Sequence, residues 1–245
     1  MTTHGERLRD TWVAIESIAR GTVRPKRLIL WLDEPRRRLP WRLRRLQRRG
    51  LEVIYVEPSF RVHTKYWYYV TTQALGAPLV LADDDIVYPP TWLEGLRSAH
   101  AESPTCVIAY RAHTIAMKSR DEFAPYAEWP SCDIAEPSYA HFATTVSGQL
   151  IPLAVQQTLQ DEGTGFVKMS PTNDDLWIHR AGVLAGYPTR QVAAGQQHWW
   201  FVPGSQATGL NAVNVTGGEN DRQMAASHDG RTRARIWQDC VRVTT

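Results

Sequence analysis

The sequence predicts an α/β domain in which a mostly parallel sheet is flanked by helices. Its first half alternates short β-rich runs with longer helical patterns, the order that a parallel sheet with crossover helices requires. The chain has 245 residues, 43 % of them hydrophobic, which suits one domain with its own core. The sequence contains no internal repeat or low-complexity linker, so we expect residues 1–245 to form a single domain.

The alternation can be followed element by element. After Gly5, the segment ERLRDTWVAIESIARG has apolar residues at helical spacing and ends at Gly21. Strands are predicted at residues 27–33 (RLILWLD), 51–57 (LEVIYVE), 78–82 (PLVLA) and 106–112 (CVIAYRA). The helices predicted between them are an arginine-rich segment that stops at Gly50, then RVHTKYWYYVTTQAL, then TWLEGLRSAHAE.

The second half of the chain is less regular. Residues 124–147 are rich in Pro, Tyr and Trp without a clear period, and we expect a shaped loop region there. GQLIPL resembles a short strand, and Asn173 is placed to cap a helix that runs from Asp174 to about Ala185. From about Gly204 the tail is rich in Gly, Asn and Thr.

Composition restricts the location of the chain. No run approaches the roughly 18 apolar residues that a membrane span needs, and MTTHGERLRD lacks the apolar stretch of a secretory signal. A cytoplasmic location is therefore expected. Cys106, Cys132 and Cys240 form an odd set without metal-ligand spacing, which favours reduced thiols.

Positive charge is concentrated near the start of the chain. Through Lys65 there are 16 Lys plus Arg against 7 Asp plus Glu, and 12 against 18 beyond it. Much of the excess lies in one segment, at Arg36, Arg37, Arg38, Arg42, Arg44, Arg45, Arg48 and Arg49. Two interpretations stay open: peripheral contact with the inner face of a membrane, or a solvated arginine face on an ordinary helix. Nucleic acid is not the expected partner.

Three consecutive acids carry the strongest functional signal. In PLVLADDDIVYPPTWLEGL an apolar strand runs directly into Asp83, Asp84 and Asp85. Side chains alternate along a strand, so Asp83 and Asp85 should point one way and Asp84 the other, at the strand end where open α/β sheets bind ligands. Adjacent carboxylates repel unless a cation lies among them, which favours a divalent metal with substrate phosphates. A plain turn or helix cap would explain one or two of these acids.

In these segments the sequence resembles the GT-A glycosyltransferases, within them a bacterial polysaccharide-type group related to family 2. The resemblance covers nearly the whole chain: TTHGERL, RLILWLDE, RRGLEVIYVE, HTKYWY, the DDD segment, AYRAHTI, AEWP, SGQLIP, SPTNDDLWIHRA and NVTGGENDRQM. It implies a Rossmann-like sheet, a nucleotide-sugar-binding half at residues 1–112 and an acceptor-side half at residues 113–245. It also implies transfer of a sugar from a nucleotide diphosphate sugar to a saccharide or glycolipid acceptor, with Mn²⁺ or Mg²⁺.

The resemblance implies roles for particular residues. Asp83 and Asp85 would hold the metal and the donor diphosphate, and Asp84 would touch the donor ribose or sugar. Lys65 would reach a donor phosphate as a point charge, although a surface lysine is the ordinary alternative. Further residues would line the nucleotide pocket: Thr3, His4, Gly5, Arg7, Asp33 and Glu34.

A second acidic pair, Asp174 and Asp175, opens a helix in the half expected to build the acceptor side. By the same resemblance one of the two is the general base that deprotonates the acceptor hydroxyl in an inverting transfer, and we favour Asp175. The alternative is that both acids only favour the positive end of a helix.

For several other residues, both a role in the site and a structural role stay open. Arg111 and His113 could approach the site from the end of the fourth strand. Trp129, with Tyr126, could stack on a sugar ring or pack in the core. His228 lies where some GT-A enzymes supply a further metal ligand, and Asn220 and Asp221 match a late element of the family.

The sequence departs from the family pattern in two places. It enters the pattern where the first strand should already be ending, which leaves two interpretations open: an incomplete edge of the nucleotide pocket, or a sequence that starts late relative to the family. TTVSGQL replaces the glycine-rich loop expected near the acceptor strand, with Ser147 and Gly148 in place of a glycine run.

Two other classes of protein remain as alternatives. Nucleotidyltransferases share the acidic metal site, but the Gly-rich phosphate loop typical of them is absent here. A protein that binds nucleic acid or membranes through its arginines would lose affinity with salt and ignore divalent metal.

Overall fold

The computed structural model describes residues 1–36, 38–205 and 218–242. Its helices are α1 (Trp12–Ala19), α2 (Trp41–Gln47), α3 (Thr64–Thr72), α4 (Trp92–Glu102), α5 (Leu153–Asp161), α6 (Phe166–Met169), α7 (Asp174–Ala185), α8 (Glu219–Ser227) and α9 (Gly230–Arg242). Its strands are β1 (Leu28–Leu32), β2 (Leu51–Tyr55), β3 (Leu79–Leu81), β4 (Ile86–Val87), β5 (Val107–Ala109), β6 (Ala112–Thr114), β7 (Met117–Ser119), β8 (Glu122–Phe123), β9 (His141–Ala143), β10 (Gln149–Ile151), β11 (Thr189–Gln191) and β12 (Trp200–Phe201).

The predicted α/β class is confirmed, with a central sheet flanked by helices in a single domain. The central strands follow the order β11-β5-β10-β3, and β1 pairs with β2 in parallel beside them. The sheet is mixed rather than mostly parallel, because β10 runs antiparallel to both β3 and β5. Since β10 and β11 come from the second half of the chain, that half helps to build the central sheet; the boundary at residue 112 stays a prediction.

Helices cover both faces of the sheet. One apolar cluster joins α1, α2 and α4 to β1 through Ile15, Leu43, Leu96 and Leu30. A second joins α3, α5 and α7 to β3, and includes Tyr66, Leu159, Trp177 and Leu81. These two layers fix the edge of the sheet at which the acidic residues lie.

Local sequence explains several element ends. Asn173 accepts a hydrogen bond from the Leu176 N–H at 3.2 Å, which confirms the predicted cap of α7, and Gly186 ends that helix with φ 80°. The helix predicted after Gly5 is divided into a 3₁₀ helix, Gly5–Arg9, and α1. The fourth predicted strand ends early at Ala109, and β6 begins at Ala112.

The segment expected to be an irregular loop has more structure than its composition indicates. It contains the 3₁₀ helices Tyr126–Glu128 and Thr145–Ser147 with β9 between them, and β9 pairs with β6. The Gly- and Asn-rich part of the tail, residues 206–217, and Arg37 lie outside the described residues. Cys106, Cys132 and Cys240 are free thiols, as predicted. Within residues 1–36, 38–205 and 218–242 no helix is long and apolar enough to cross a bilayer.

Gly148 fixes the turn between Thr145–Ser147 and β10. Its φ is 103°, and a Cβ atom there would lie 2.3 Å from Trp92 Nε1, an atom that donates to the Ser147 carbonyl at 2.9 Å. Both backbone conformation and space therefore require glycine at this position.

We predict that Gly148→Ala lowers the free energy of unfolding by at least about 2 kcal/mol, because strain and overpacking add. Urea denaturation measures this. Gly76→Ala is the matched control, since Gly76 is exposed and a Cβ there meets nothing within 4 Å. Equal effects of the two substitutions would contradict this account of Gly148.

Candidate functional site

The three consecutive acids lie on a turn between β3 and β4 rather than on the strand itself. β3 ends at Leu81, and the Asp83 N–H donates to the Tyr88 hydroxyl at 2.8 Å. The predicted alternation of these side chains is wrong: Asp84 and Asp85 turn to the same cation, whereas Asp83 turns to a different one. The physical reason is that alternation holds only while the backbone stays extended.

Arg7 binds Asp84 and Asp85 together. Its Nη2 lies 2.5 Å from Asp84 Oδ1 and 2.6 Å from Asp85 Oδ2. Thr3 donates its hydroxyl proton to the other oxygen of Asp84. Burial raises the pKa of Asp84, and Arg7 and Thr3 oppose this. The N-terminal segment thus contacts the acidic turn; that Thr3 and Arg7 line a nucleotide pocket stays a prediction.

Lys65 connects the acidic turn to the start of α7. Its Nζ lies 2.6 Å from Asp83 Oδ1, 3.1 Å from Thr145 Oγ1 and 3.1 Å from Asp174 Oδ2. The residue is only 7 % exposed, which rules out the alternative of a surface lysine. Burial lowers its pKa, but the charges of Asp174, Asp83 and Asp175 outweigh that effect and hold the pKa well above the usual value.

Asp175 lies beside Lys65 and is held by a backbone group. Its Oδ1 accepts a hydrogen bond from the Thr145 N–H at 2.9 Å. Part of the side chain is exposed. Burial of the carboxyl group away from water is the largest cause that raises the pKa of Asp175 to about 8; the charge of Asp174 adds to this effect, and the charge of Lys65 opposes it. A carboxyl group whose pKa is raised toward neutrality can exchange a proton near physiological pH.

Negative charge exceeds positive charge in this acidic cluster, which we define as Asp83, Asp84, Asp85, Asp174 and Asp175. Arg7 and Lys65 are the cations in contact with it, so two positive charges face five carboxyl groups. Asp174 Oδ2 is buried, and no described residue forms a hydrogen bond to it, although Lys65 is near. Burial also raises the pKa of Asp85 to about 6, against the effect of Arg7. The cluster has the charge to accept a further cation.

The carboxylates of the acidic cluster suit a metal ion that takes most of its ligands from substrate and water. Among residues 1–36, 38–205 and 218–242, no three His, Cys, Asp or Glu side chains are grouped so that they could hold a metal. Mg²⁺ sites commonly use one or two carboxylates together with substrate phosphates and water. Asp83 and Asp85 can provide such oxygens, since their side chains are 22 % and 11 % exposed. Asp84 is less suitable because Thr3 and Arg7 already bind it.

Three other predicted pocket residues lie apart from the acidic contacts just described. His4 is exposed and directly precedes the 3₁₀ helix Gly5–Arg9. Gly5 begins that helix with φ 57°, and the helix contains Arg7. Asp33 accepts hydrogen bonds from Ser59 at 2.6 Å and Thr64 at 3.0 Å. Asp33 therefore positions the start of α3, next to Lys65. A direct role for each in nucleotide binding stays a prediction.

Two residues shape the site in ways that the sequence analysis did not predict: Thr145 was not singled out, and Asn220 was matched to a late family element without a physical role. Thr145 contacts both Lys65 and Asp175 from a segment that reads as an irregular loop. Asn220 accepts a hydrogen bond from Asn173 Nδ2 at 2.8 Å, so it holds the residue that caps α7. Asp221, the other residue of the late Asn-Asp element, accepts a hydrogen bond from the Tyr126 N–H at 2.6 Å. Both residues of this element therefore hold neighbouring segments in place.

Trp129 and His228, for which the sequence left a site role open, are both buried. Trp129 is only 5 % exposed and packs on Phe142, so core packing is correct and stacking on a sugar is not. His228 is also buried and lies 3.0 Å from a nitrogen of His179. It is neither a surface residue nor part of a group able to hold metal in the described part of the chain.

Arg111 and His113 contact each other at the start of β6. Arg111 donates to Thr144 Oγ1 at 3.0 Å, and its Nη2 lies 3.2 Å from His113 Nε2. Burial, then the charge of Arg111, lowers the pKa of His113 to about 4, so this histidine is neutral at physiological pH. Its neutral ring nitrogen can therefore accept a hydrogen bond from Arg111.

Comparison with solved structures supports the fold. The chain is similar to the crystal structure of TarS residues 1–349 from S. aureus, with a TM-score of 0.54 and 12 % identity over 98 % of this chain and 68 % of that chain. TarS is a glycosyltransferase with a GT-A-like fold, and at this identity the likeness shows the fold alone. No protein-family model and no curated protein sequence matches the chain.

Lys65→Met should lower the free energy of unfolding by about 3–5 kcal/mol, because it leaves the buried Asp174 and the half-buried Asp83 without their shared cation. Adding Asp174→Asn should recover part of the loss. A double-mutant cycle in urea measures the coupling. Additive effects within about 0.5 kcal/mol would show that Lys65 and Asp174 do not interact.

Stability should also depend on pH through Asp175. The unfolded chain releases this proton near pH 4, whereas the folded chain keeps it up to about pH 8. The contribution of the group is thus present below pH 4 and is lost as pH rises to 8. Relative to the parent protein, Asp175→Asn should gain roughly 1 kcal/mol or more between pH 5 and pH 9.

The control for this measurement is Asp121→Asn on the exposed turn between β7 and β8. Its unfolding free energy should stay within about 0.5 kcal/mol of the parent at each pH. A flat pH profile for the difference between Asp175→Asn and the parent would rule out a raised pKa at Asp175.

Proposed function

We propose that this chain is a glycosyltransferase that moves a sugar from a nucleotide diphosphate sugar to an acceptor hydroxyl, with inversion at the anomeric carbon. The observation that carries the proposal is the position of Lys65 between Asp83 and Asp174. One buried cation brings together the acidic turn after β3 and the acidic start of α7. Sugar transfer needs one acidic group at the donor diphosphate and a second acidic group at the acceptor hydroxyl, and the two groups must lie next to each other. The GT-A-like fold of the chain is consistent with this chemistry.

The donor side is assigned to the N-terminal segment and the acidic turn. Asp83 and Asp85 would hold a divalent cation, Mn²⁺ or Mg²⁺, together with phosphate oxygens of the donor. When bound, the cation would supply positive charge that stabilises the departing diphosphate and lowers the pKa of Asp175, because the charge of Asp83 is among the causes that raise it. Lys65 would hold a donor phosphate as a point charge, and Asp84 would contact the ribose or sugar.

The acceptor side is assigned to the start of α7. Asp175 takes the proton of the acceptor hydroxyl as that oxygen forms its bond to the anomeric carbon. The bond between the anomeric carbon and the diphosphate breaks, and its electron pair leaves with the nucleoside diphosphate. Thr145 orients Asp175 through its N–H, and Asn173 with Asn220 fixes the end of the helix that carries Asp175. Asp174 stays paired with Lys65 in this scheme and is the weaker candidate for the base.

The acceptor is expected to be a saccharide or a glycolipid, and an exposed basic surface supports peripheral membrane contact. On and beside α2, this surface contains Arg36, Arg38, Arg42, Arg44, Arg45, Arg48 and Arg49, all exposed or partly exposed, and Trp41 is 59 % exposed. Arg42 lies over the rings of Trp12 and Trp41, and Arg49 pairs with Glu16. A basic helix with an exposed tryptophan suits the anionic headgroup region of a bilayer. The solvated arginine face remains the alternative.

A donor screen tests the proposal. UDP, GDP and dTDP sugars are titrated by calorimetry and thermal shift, with and without Mn²⁺. One nucleotide class should stabilise the parent protein only with metal, by about 2.7 kcal/mol at a ligand concentration of 100 times Kd. Asp85→Asn should abolish this binding, whereas Asp175→Asn should keep it and lower turnover by about 10²–10⁴-fold.

Asp161→Asn, at the exposed end of α5, is the control and should bind and turn over as the parent does. No response to any donor, with metal or without, would contradict the proposed transferase function. Normal turnover by both Asp85→Asn and Asp175→Asn would overturn the assignment of roles.

A further inference from the structure

A partly exposed guanidinium lies close to the candidate base. Arg111 directly precedes β6, and its Nη1 donates to Thr144 Oγ1 at 3.0 Å, while the Thr144 N–H donates to the Arg111 carbonyl at 3.0 Å. The next residue, Thr145, donates its N–H to Asp175 at 2.9 Å. Neighbouring residues therefore hold Arg111 and Asp175, and bond lengths limit the distance from the guanidinium to the carboxylate to about 11 Å.

The hydroxyl group of Tyr126 gives independent evidence that these two charges are close together. Burial, then the charge of Asp175, raises the pKa of Tyr126 to about 12, and the charge of Arg111 opposes this rise. Both charges thus act on one hydroxyl group. Asp175, Tyr126, Arg111 and His113 are all partly exposed, so they form an accessible surface beside the candidate base.

Every group that the described part of the chain brings within hydrogen-bond distance of this guanidinium is neutral. Nε donates to Gln196 Oε1 at 3.3 Å, Nη1 donates to Thr144, and Nη2 lies 3.2 Å from His113 Nε2. A guanidinium has five N–H hydrogens, so these three bonds leave one hydrogen on each Nη atom. The positive charge of Arg111 is therefore held in place without a contacting carboxylate from the described residues.

The three acceptors are themselves held in position, which fixes the direction of the guanidinium. Gln196 donates its amide to the Ala112 carbonyl, so its Oε1 faces Arg111. Thr144 follows β9, and β9 pairs with β6. His113 is neutral, and its one ring proton lies on Nδ1 when Nε2 accepts from Arg111. Arg111 is thus oriented before any ligand binds.

We propose that Arg111 binds an anionic group of the acceptor, a phosphate or a carboxylate, while Asp175 contacts the hydroxyl group that reacts. This inference rests on the proposed function, which assigns the acceptor to the surface beside Asp175. An oriented guanidinium with N–H groups to spare is the side chain best suited to carboxylate and phosphate oxygens. The short distance between Arg111 and Asp175 places the anion on the sugar that carries the reacting hydroxyl or on the next sugar.

Binding of simple sugars tests this site without any turnover. Glucose 6-phosphate, glucuronate and glucose are titrated against the isotope-labelled parent protein by NMR, with EDTA present so that no divalent cation enters the acidic cluster. At least one anionic sugar should bind about tenfold or more tightly than glucose, a difference of about 1.4 kcal/mol. The anionic sugar that binds more tightly identifies the group as phosphate or carboxylate. Binding should shift the side-chain Nε–H resonance of Arg111 more than that of any other described arginine.

Substitution of the arginine tests the assignment directly. Arg111→Gln removes the charge and should abolish the preference for anionic sugars. Arg111→Lys keeps a charge but loses the planar fork, so a reduced preference should remain. Arg120→Gln, on the exposed turn between β7 and β8, is the matched control and should bind as the parent does.

The proposal is overturned if the parent binds all three sugars equally, or if Arg111→Gln keeps the preference. It is also overturned if the anionic sugars shift other arginine resonances and not that of Arg111, a measurement on the parent protein that does not require Arg111→Gln to fold.

This titration and the donor screen can fail separately. If no donor binds but an anionic sugar binds through Arg111, the transferase function is contradicted and the anion site stands. If a donor binds with metal but anionic sugars gain nothing over glucose, only the assignment of Arg111 is contradicted.

Discussion

One buried ammonium group holds the candidate site together. Lys65 is 7 % exposed and contacts carboxylates from two segments about ninety residues apart, Asp83 after β3 and Asp174 at the start of α7. A lysine buried alone would lose its proton, and carboxylates buried alone would gain one. Together they stay charged, so the pairing both orders the two segments and keeps their charges at one place in the fold.

The same arrangement changes how the acidic turn should be understood. The three aspartates do not stand as a bare cluster that only a metal could stabilise, because Arg7 binds two of them and Lys65 binds the third. What supports a further cation is the excess of carboxyl groups over the two cations that contact them. A bound cation and donor would change the charge around Asp175, which links occupancy of the donor side to the protonation state of the proposed base.

Much of the fold, but only part of the site, could be predicted from sequence. Apolar runs and turn residues gave the order of strands and helices, and the Asn173 cap gave the start of α7. The antiparallel placement of β10 and the contacts of Thr145 and Asn220 could not be predicted, because they join residues distant in sequence through loops without a periodic pattern. The direction of Asp85 was mispredicted for a local reason: the strand ends two residues before Asp83, and a turn does not alternate its side chains.

Anomalous diffraction from Mn²⁺ tests the central claim most directly, in crystals of the protein grown with manganese and a nucleoside diphosphate. The account predicts a manganese peak beside the carboxylates of Asp83 and Asp85, with Lys65 still between the acidic turn and α7. It is contradicted if manganese and nucleotide bind elsewhere, or if neither binds and Arg7 and Lys65 remain the sole cations at those carboxylates.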